Sequence, residues 1–218
     1  MMIRKAAVAA ALALSASAAN ATFVTIDNLN PTETTVGVVG NNNFLAQLAA
    51  QGVTNYTLGV ALGAGADGWV DFYYYGKEAG YRNIFLGDGG DLSYNTGFTP
   101  SFQNYFGSPV SIGSMEVFAG TVLDFRFCAY SSNTTLVGCL SNAQNDARGI
   151  NSFQSIAFNV SNWDTWIFWD DSGAGPDDNH DDMLIRAIFR PRSVSEPGTL
   201  ALLGLGLVGL GFARRLRR

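Results

Sequence analysis

Residues 122–128 read Val-Leu-Asp-Phe-Arg-Phe-Cys, and this alternation indicates the kind of fold that the chain adopts. In an extended chain, Asp124 and Arg126 lie on one face. Leu123, Phe125 and Phe127 lie on the opposite face, so the segment is predicted to be a half-buried β-strand.

Similar short runs of β-branched and aromatic residues recur along the chain, separated by Gly, Asn, Asp and Pro. The candidate strands are Thr22–Asp27, Thr35–Val39, Tyr56–Leu62, Trp69–Tyr75, Asn83–Leu86, Val110–Val117, Val122–Tyr130, Thr135–Cys139, Phe153–Val160, Thr165–Trp169 and Met183–Arg190. Thr165–Trp169 is apolar on both faces and is the best candidate for a central strand. One short helix is expected from Asn43 to Gln51, capped by an asparagine. We therefore predict an all-β fold, an antiparallel β-sandwich or jelly roll of about ten strands.

The composition favours a folded, exported domain over several other classes of protein. Of 218 residues, 47% are apolar, 12% are aromatic and only 14% are charged, which argues for a packed core and against disorder. A net charge of −5 does not suit a nucleic-acid-binding protein. Two cysteines and one histidine exclude most Cys/His zinc sites and leave little material for histidine-based catalysis.

The N-terminal segment has the parts of a secretory signal peptide. Arg4 and Lys5 precede an apolar run from Ala6 to about Ala19, which is shorter than the ~20 residues needed to cross a bilayer. Ala19 and Ala21 are the small residues that a signal peptidase reads, so cleavage is expected after Ala21. The alternative is an uncleaved N-terminal membrane anchor.

The C-terminal segment has the parts of a stop-transfer tail. A Leu- and Gly-rich apolar stretch, residues 199–213, is followed by the four arginines Arg214, Arg215, Arg217 and Arg218. Arginine is costly at the bilayer centre, at about 2.5–3.5 kcal/mol each. The arginines are therefore expected to stay on the cytoplasmic side as a topological stop, with a C-terminal transmembrane helix in the inner membrane.

This tail resembles the PEP-CTERM sorting signal, in which a Pro-Glu-Pro-like motif precedes a transmembrane helix and an Arg cluster. The motif here is Val194-Ser195-Glu196-Pro197, with Ser195 where the family usually has proline. The resemblance implies recognition by exosortase, a membrane-embedded transpeptidase-like enzyme, with cleavage near the motif. It also implies Gram-negative bacteria that make exopolysaccharide or a biofilm matrix. The alternative is a plain anchor helix that is not processed.

Three parts follow from these observations: a signal peptide in residues 1–21, a β-sandwich domain in 22–192 and a sorting signal in 193–218. Residues 22–197 contain seven cations and 18 acids, which leaves the mature body with a net charge of −11. Such a domain is not expected to adhere to anionic lipid or nucleic acid. The predicted location is the cell surface or extracellular matrix, after a transient stage in the inner membrane.

The two cysteines, Cys128 and Cys139, both lie in the exported body, where an oxidising environment favours a disulfide. The intervening residues 130–134 read Tyr-Ser-Ser-Asn-Thr and have turn chemistry, so the pair is expected to face across a hairpin. The alternatives are two free thiols or a redox pair, although the spacing is not Cys-x-x-Cys.

An acidic loop is the one chemical constellation in the body. Residues 170–182 contain six carboxylates together with glycines, and hard cations such as Ca²⁺ prefer oxygen ligands of this kind. No cofactor is certain; the candidate ligands for Ca²⁺ are Asp171, Asp177, Asn179, Asp181 and Asp182. The spacing is not that of an EF-hand.

The loop also resembles the end of a secreted β-sandwich family of unknown function, which carries a D-x-D-Y-N-D-like motif. Asp177 and Asp182 match the ends of that motif, and the resemblance implies a structural cation site or a hydrogen-bonded turn. A solvated acidic turn without metal and a catalytic carboxylate pair remain as alternatives. His180 with Asp181 and a serine is a further catalytic possibility, although a lone histidine in such a loop is expected at the surface.

These patterns predict a non-enzymatic exported protein whose partners are signal peptidase, exosortase and matrix polysaccharide. One alternative is a carbohydrate-binding module that uses the aromatics of Trp69–Tyr75 and a calcium-loaded acidic loop. Core packing is the interpretation of those aromatics that we favour. The other alternative is a secreted hydrolase that uses Asp177 or Asp182.

Overall fold

The computed structural model describes residues 23–35, 44–145, 154–171 and 180–192, together with Gly206. The predicted signal helix lies outside these ranges, as does the predicted C-terminal helix except for Gly206. Among the residues described, no helix has the length and apolar character needed to cross a bilayer.

Within these ranges the chain forms twelve β-strands and one short α-helix. The strands are β1 (Phe23–Thr35), β2 (Asn55–Ala64), β3 (Gly68–Glu78), β4 (Arg82–Gly87), β5 (Leu92–Asn95), β6 (Phe102–Asn104), β7 (Val110–Val117), β8 (Phe125–Tyr130), β9 (Leu136–Ser141), β10 (Ser155–Val160), β11 (Asp164–Asp170) and β12 (Met183–Pro191). Helix α1 is Leu45–Ala50, and two single 3₁₀ turns are Asp88–Gly90 and Asn142–Gln144.

The strands form two antiparallel sheets that pack face to face. The large sheet has eight strands in the order β1-β2-β10-β11-β12-β3-β6, and β7 also pairs with β3. The small sheet has four strands in the order β5-β4-β8-β9. The predicted antiparallel β-sandwich is therefore confirmed.

Aromatic side chains from both sheets fill the space between them. Phe127 of the small sheet stacks on Trp169 of the large sheet, with ring centroids 5.1 Å apart. Phe85 and Phe72 make a second contact across the interface, also at 5.1 Å. All four rings are fully or almost fully buried. Aromatic pairs at such separations add to the stabilisation that burial of apolar area provides.

A second apolar layer covers the outer face of the large sheet. Phe44 precedes α1 and Leu48 lies within it. Both side chains are buried against Tyr56, Phe168 and neighbouring apolar residues. The large sheet is therefore covered on both faces where α1 lies. This second layer explains why the predicted central strand is apolar on both sides.

Strand β11 shows that two-sided burial in detail. Ile167 and Trp169 belong to the core between the sheets. Trp166 and Phe168 belong to the layer beneath α1. Because β11 lies between β10 and β12, its predicted place as a central strand is confirmed.

The structure differs from the sequence prediction in several elements. Strands β5 and β6 were not predicted, and they are only four and three residues long. Strand β1 continues to Thr35 through a register shift between Asp27 and Thr32, instead of ending at Asp27. The predicted asparagine cap of the helix is wrong, because Phe44 occupies the N-cap and makes no side-chain capping hydrogen bond.

The segment that indicated the fold behaves as predicted, although β8 itself begins at Phe125. Leu123, Phe125 and Phe127 are buried, while Asp124 and Arg126 are exposed. Strands β8 and β9 form the predicted hairpin, in which Cys128 and Cys139 are directly opposite each other. The two cysteines are joined by a disulfide.

Candidate functional site

The acidic loop connects β11 to β12, so its two ends lie on adjacent strands of the large sheet. The structure describes Asp170 and Asp171 at its start and residues 180–182 at its end. Asp177 and Asn179, two of the candidate calcium ligands, lie outside the described residues. The geometry below therefore concerns the two ends of the loop.

Asn83 fixes the loop ends to the small sheet. This residue lies on β4 and is fully buried. Its amide nitrogen donates to Oδ2 of Asp171 at 2.6 Å and to the main-chain oxygen of Asp182 at 3.2 Å. Its amide oxygen accepts from Nε1 of Trp169 at 3.2 Å. One side chain thus ties both ends of the loop and a core tryptophan to the opposite sheet.

Asp171 and Asp182 lie side by side, and the environment disfavours their charged forms. The main-chain nitrogen of Asp171 donates to Oδ2 of Asp182 at 2.8 Å. Burial, followed by the neighbouring charge of Asp171, holds the pKa of Asp182 well above its usual range. Burial also raises the pKa of Asp171, although the hydrogen bond from Asn83 opposes this shift. Two adjacent carboxyls in a poorly hydrated place favour a shared proton.

Lys77 is a buried cation in the same region. The residue lies on β3, and its Nζ donates to the main-chain oxygens of Gly97 at 2.8 Å and Tyr81 at 3.3 Å. Burial lowers the pKa of the ammonium, and the charges of Asp171 and Asp182 oppose that shift. A buried lysine of this kind requires hydrogen-bond acceptors and nearby negative charge.

A pocket of about 410 Å³ opens beside the paired carboxyls. Its lining includes Asp171, Asp182, Ser101 and the turn formed by residues 78–81. Both carboxyls line this pocket. Glycoside hydrolysis needs two carboxyls that flank the scissile bond, about 5–9.5 Å apart, and the hydrolase alternative stays a prediction.

The described part of the loop does not assemble a metal centre. Among the residues that the structure describes, no group of three or more His, Cys, Asp or Glu side chains is placed to hold a metal ion. Asp181 is buried, and its main-chain oxygen accepts from the nitrogen of Glu78 at 2.9 Å. Calcium binding by the complete set of five candidate ligands stays a prediction.

His180 was expected at the surface, and this expectation is wrong. The residue is only 2% exposed. Its Nε2 lies 2.6 Å from Oγ of Ser155, and its Nδ1 lies 3.4 Å from the hydroxyl of Tyr56. Ser155 is also buried, at 3% exposed, so both members of this Ser–His pair lie inside the domain and tie the end of the loop to β10.

The aromatic strand β3 contributes mainly to packing. Phe72, Tyr74 and Tyr75 are buried, which confirms the core-packing interpretation for these three residues. Trp69 and Tyr73 are half-buried on the outer face of the large sheet. They are the only aromatics of the predicted Trp69–Tyr75 run, all of which the structure describes, that keep appreciable exposure.

Sequence reasoning missed Asn83 and Lys77 as members of this site. Both had a recognisable signal: a polar residue on the inward face of an apolar strand, and an isolated lysine after a run of three tyrosines. The predicted sorting residues Val194 to Pro197, the four arginines and the signal-cleavage residues Ala19 and Ala21 lie outside the described residues.

Comparison with known proteins identifies the C-terminal segment. Residues 193–218 match the family model of the PEP-CTERM protein-sorting motif. The chain therefore carries this sorting motif, which supports an exported protein that is sorted by exosortase from a membrane-anchored precursor to the surface. No curated protein and no solved structure matches the chain.

Proposed function

We propose that this chain is a non-enzymatic surface or extracellular-matrix protein, delivered by exosortase and associated with exopolysaccharide or a biofilm. The observation that carries the proposal is the sorting motif at residues 193–218. In this proposal Glu196 and Pro197 are read by exosortase, and the terminal arginines hold the apolar tail in the inner membrane until cleavage. Signal peptidase acts first, after Ala21.

Two changes to the tail test the sorting steps. Replacing Glu196-Pro197 with Ala-Ala is expected to leave an uncleaved precursor in the inner membrane, because the recognition motif is lost. Deleting residues 214–218 is expected to mislocalise the chain, because the topological stop is lost. Immunoblots of membrane, periplasmic and released fractions measure both outcomes.

Matched controls separate recognition from general damage. Asp91→Ala changes an exposed acid of the body and should leave processing unchanged. Replacing all four terminal arginines with lysine keeps the charge and should preserve topology. Normal size and release of the Glu196-Pro197 variant would contradict exosortase recognition, and mature protein found in the cytosol with both ends intact would contradict export altogether.

Association with matrix polysaccharide is tested by affinity electrophoresis of the mature body in the host polysaccharide, with and without calcium. Retardation that depends on Trp69 and Tyr73 would favour the carbohydrate-binding alternative, since aromatic rings stack on sugars. Lack of retardation under both conditions rejects that alternative. Phe72→Leu serves as the control for a core aromatic that is not available to a ligand.

Calcium binding by the acidic loop is tested by thermal melting in chelator and in excess calcium. A ligand present at 100 times its dissociation constant adds about 2.7 kcal/mol to stability. The calcium interpretation predicts a higher melting temperature that is lost in Asp177→Asn, while an unchanged melt rejects it.

The hydrolase alternative is tested separately on a glycoside and ester panel. Activity that disappears in Asp182→Asn would support that alternative. Lack of turnover on the panel removes it.

A further inference from the structure

The predicted signal peptide and the predicted membrane tail join the body at the same end. The topology shows this through three strand pairings: Pro191 is opposite Gly68, Gly68 is opposite Val117, and Phe23 is opposite Ala64. Strand β1 therefore begins where β12 ends. We call this the exit end; it comprises Phe23, Arg192 and the connections 65–67, 118–124 and 161–163.

Hydrogen bonds bring these connections close to the point where the tail begins. The main-chain nitrogen of Arg192 donates to the oxygen of Asp67 at 3.0 Å. Oδ1 of Asp67 accepts from the nitrogen of Ala119 at 2.9 Å. The nitrogen of Phe189 donates to the oxygen of Trp163 at 2.9 Å. The loops that carry Phe118 and Trp163 are thus fixed beside the last residues of the body.

Three large apolar side chains project from the exit end into solvent. Phe118 is 50% exposed, Trp163 is 45% exposed and Val122 is 37% exposed. The ring of Trp163 contacts the buried ring of Phe189 at a tilt, with a centroid distance of 6.2 Å, so the core helps to fix its position. Large exposed apolar side chains that share one end of a domain are candidates for an interaction surface.

The length of the tail places this surface near the bilayer. Only residues 193–198 separate Arg192 from the apolar stretch that begins at Thr199. Six residues span at most about 20 Å when fully extended. The exit end of the precursor is therefore confined to the neighbourhood of the membrane surface while the tail is inserted.

We infer that Phe118, Val122 and Trp163 form a membrane-facing surface, through which the precursor rests on the lipid interface before cleavage. Tryptophan suits the headgroup region, where its apolar ring and its polar N–H are both accommodated. Phenylalanine supplies an apolar ring that enters the boundary of the acyl chains. The occupant of this surface is the outer leaflet of the inner membrane. The inference rests on the proposed membrane tail and adds an orientation for the body.

The local charges are consistent with contact through apolar groups. Arg192 is paired with Glu116, and Arg190 is paired with Asp71, with Nη2 of Arg190 2.8 Å from Oδ1. The mature body carries a net charge of −11. A strongly acidic body is repelled by anionic lipid, so the contact is expected on zwitterionic phosphatidylcholine.

The experiment measures tryptophan quenching in the full-length chain reconstituted into phosphatidylcholine vesicles. Lipids brominated near the headgroup are expected to quench a red-shifted component of the emission, and Trp163→Phe is expected to remove that component. Of the remaining tryptophans, Trp166 and Trp169 are buried and supply the background. Trp69 is half-buried and lies beside the exit end, under Arg192, so all variants are made in a Trp69→Phe background. Vesicle flotation checks that the tail has inserted.

A matched variant places the probe at the opposite end of the sheet. Phe102 is 43% exposed and pairs with Glu78, at the other end of β3, about 30 Å from the exit end. In the double variant W163F/F102W, the new tryptophan is expected to escape quenching.

The outcomes separate this inference from the proposed function. If chains float with the vesicles but Trp163 is not quenched, or if tryptophans at positions 163 and 102 are quenched equally, the inference is wrong. The proposed membrane tail is still supported in that case, because the chains float. If chains do not float, the membrane tail fails and the inference fails with it. Quenching at position 163 alone supports the orientation.

Discussion

Asn83 is the single side chain whose removal should disturb the acidic loop most. Asn83→Ala deletes hydrogen bonds to Asp171, Asp182 and Trp169 inside the protein. A buried polar group left without its partner costs about 1–3 kcal/mol, so the free energy of unfolding should fall by about 2–3 kcal/mol. Urea denaturation measures the change. The exposed Asn133→Ala is the control, and an equal loss in both variants would contradict the structural role of Asn83.

Asp182 should make stability depend on pH in the range that begins at the ordinary aspartate pKa of about 3.9 and extends upward. Its folded pKa is raised, mainly by burial. The folded state therefore holds its proton at pH values where the unfolded state has lost it, and stability falls as the pH rises through this window. In chelator-containing buffer, the stability of Asp182→Asn relative to the wild type should increase with pH, by at most about 1.4 kcal/mol per unit.

Asp71 provides the control for this pH series because its pKa is shifted in the opposite direction. The hydrogen bond from Arg190 is the main cause that lowers the pKa of Asp71. Its contribution to stability is present above the unfolded pKa of about 4 and is lost only as the pH falls further. Asp71→Asn should therefore change stability by a constant amount from pH 4.5 to 7.5. A flat profile for Asp182→Asn would disprove the prediction.

The role of a residue could be predicted from the sequence where its partner is close along the chain. Cys128 and Cys139 flank a turn-forming segment in an exported chain, and the structure joins them. His180 and Lys77 were different, since their partners Ser155 and Gly97 are 25 and 20 residues away. A short stretch of sequence around His180 does not show that this side chain is buried, because its partner is distant along the chain.

At the scale of elements, Gly76 controls how closely β3 approaches its neighbours. A Cβ at this position would lie 2.8 Å from Cζ of Phe44 and would collide with the main-chain oxygen of Gln103. Gly76→Ala should displace both α1 and β6, and overpacking of this kind costs about 1–3 kcal/mol. Chemical denaturation measures the loss.

Gly80→Ala is the matched control, because a Cβ there meets nothing within 4 Å. Its effect should stay within about 0.5 kcal/mol, as for most surface substitutions. If both variants lost a similar free energy of unfolding, the close packing of Gly76 against Phe44 would not be the cause of the loss.

Element prediction succeeded where a strand is long and its faces differ. Strand β7, Val110–Val117, has the predicted bounds. Strands β5 and β6 escaped prediction because they are short and their pairing partners, β4 and β3, hold them in place. The helix start was misplaced because Phe44 is held by packing on Phe102 and Phe106, while the prediction relied on a polar cap.

At the scale of the whole molecule, the folded body should end at Arg192. Phe189 is 2% exposed and packs edge-on against Phe23, with ring centroids 5.7 Å apart. A chain ending at Ile188 loses this core residue, and loss of a buried phenylalanine costs about 3–5 kcal/mol. A chain of residues 22–192 should melt cooperatively, whereas one of residues 22–188 should melt at a much lower temperature, as measured by circular dichroism. Equal melting temperatures would move the domain boundary inward.

The position of β12 has a mechanical consequence. This strand leads into the tail, yet β11 and β3 border it on either side, so it is not at a sheet edge. A pull on the tail, directed along the strand, loads two ladders of hydrogen bonds in shear at once. An edge strand would instead peel away one bond at a time. A tether attached to an interior strand thus lets the body withstand tension while it is still held at the cell envelope.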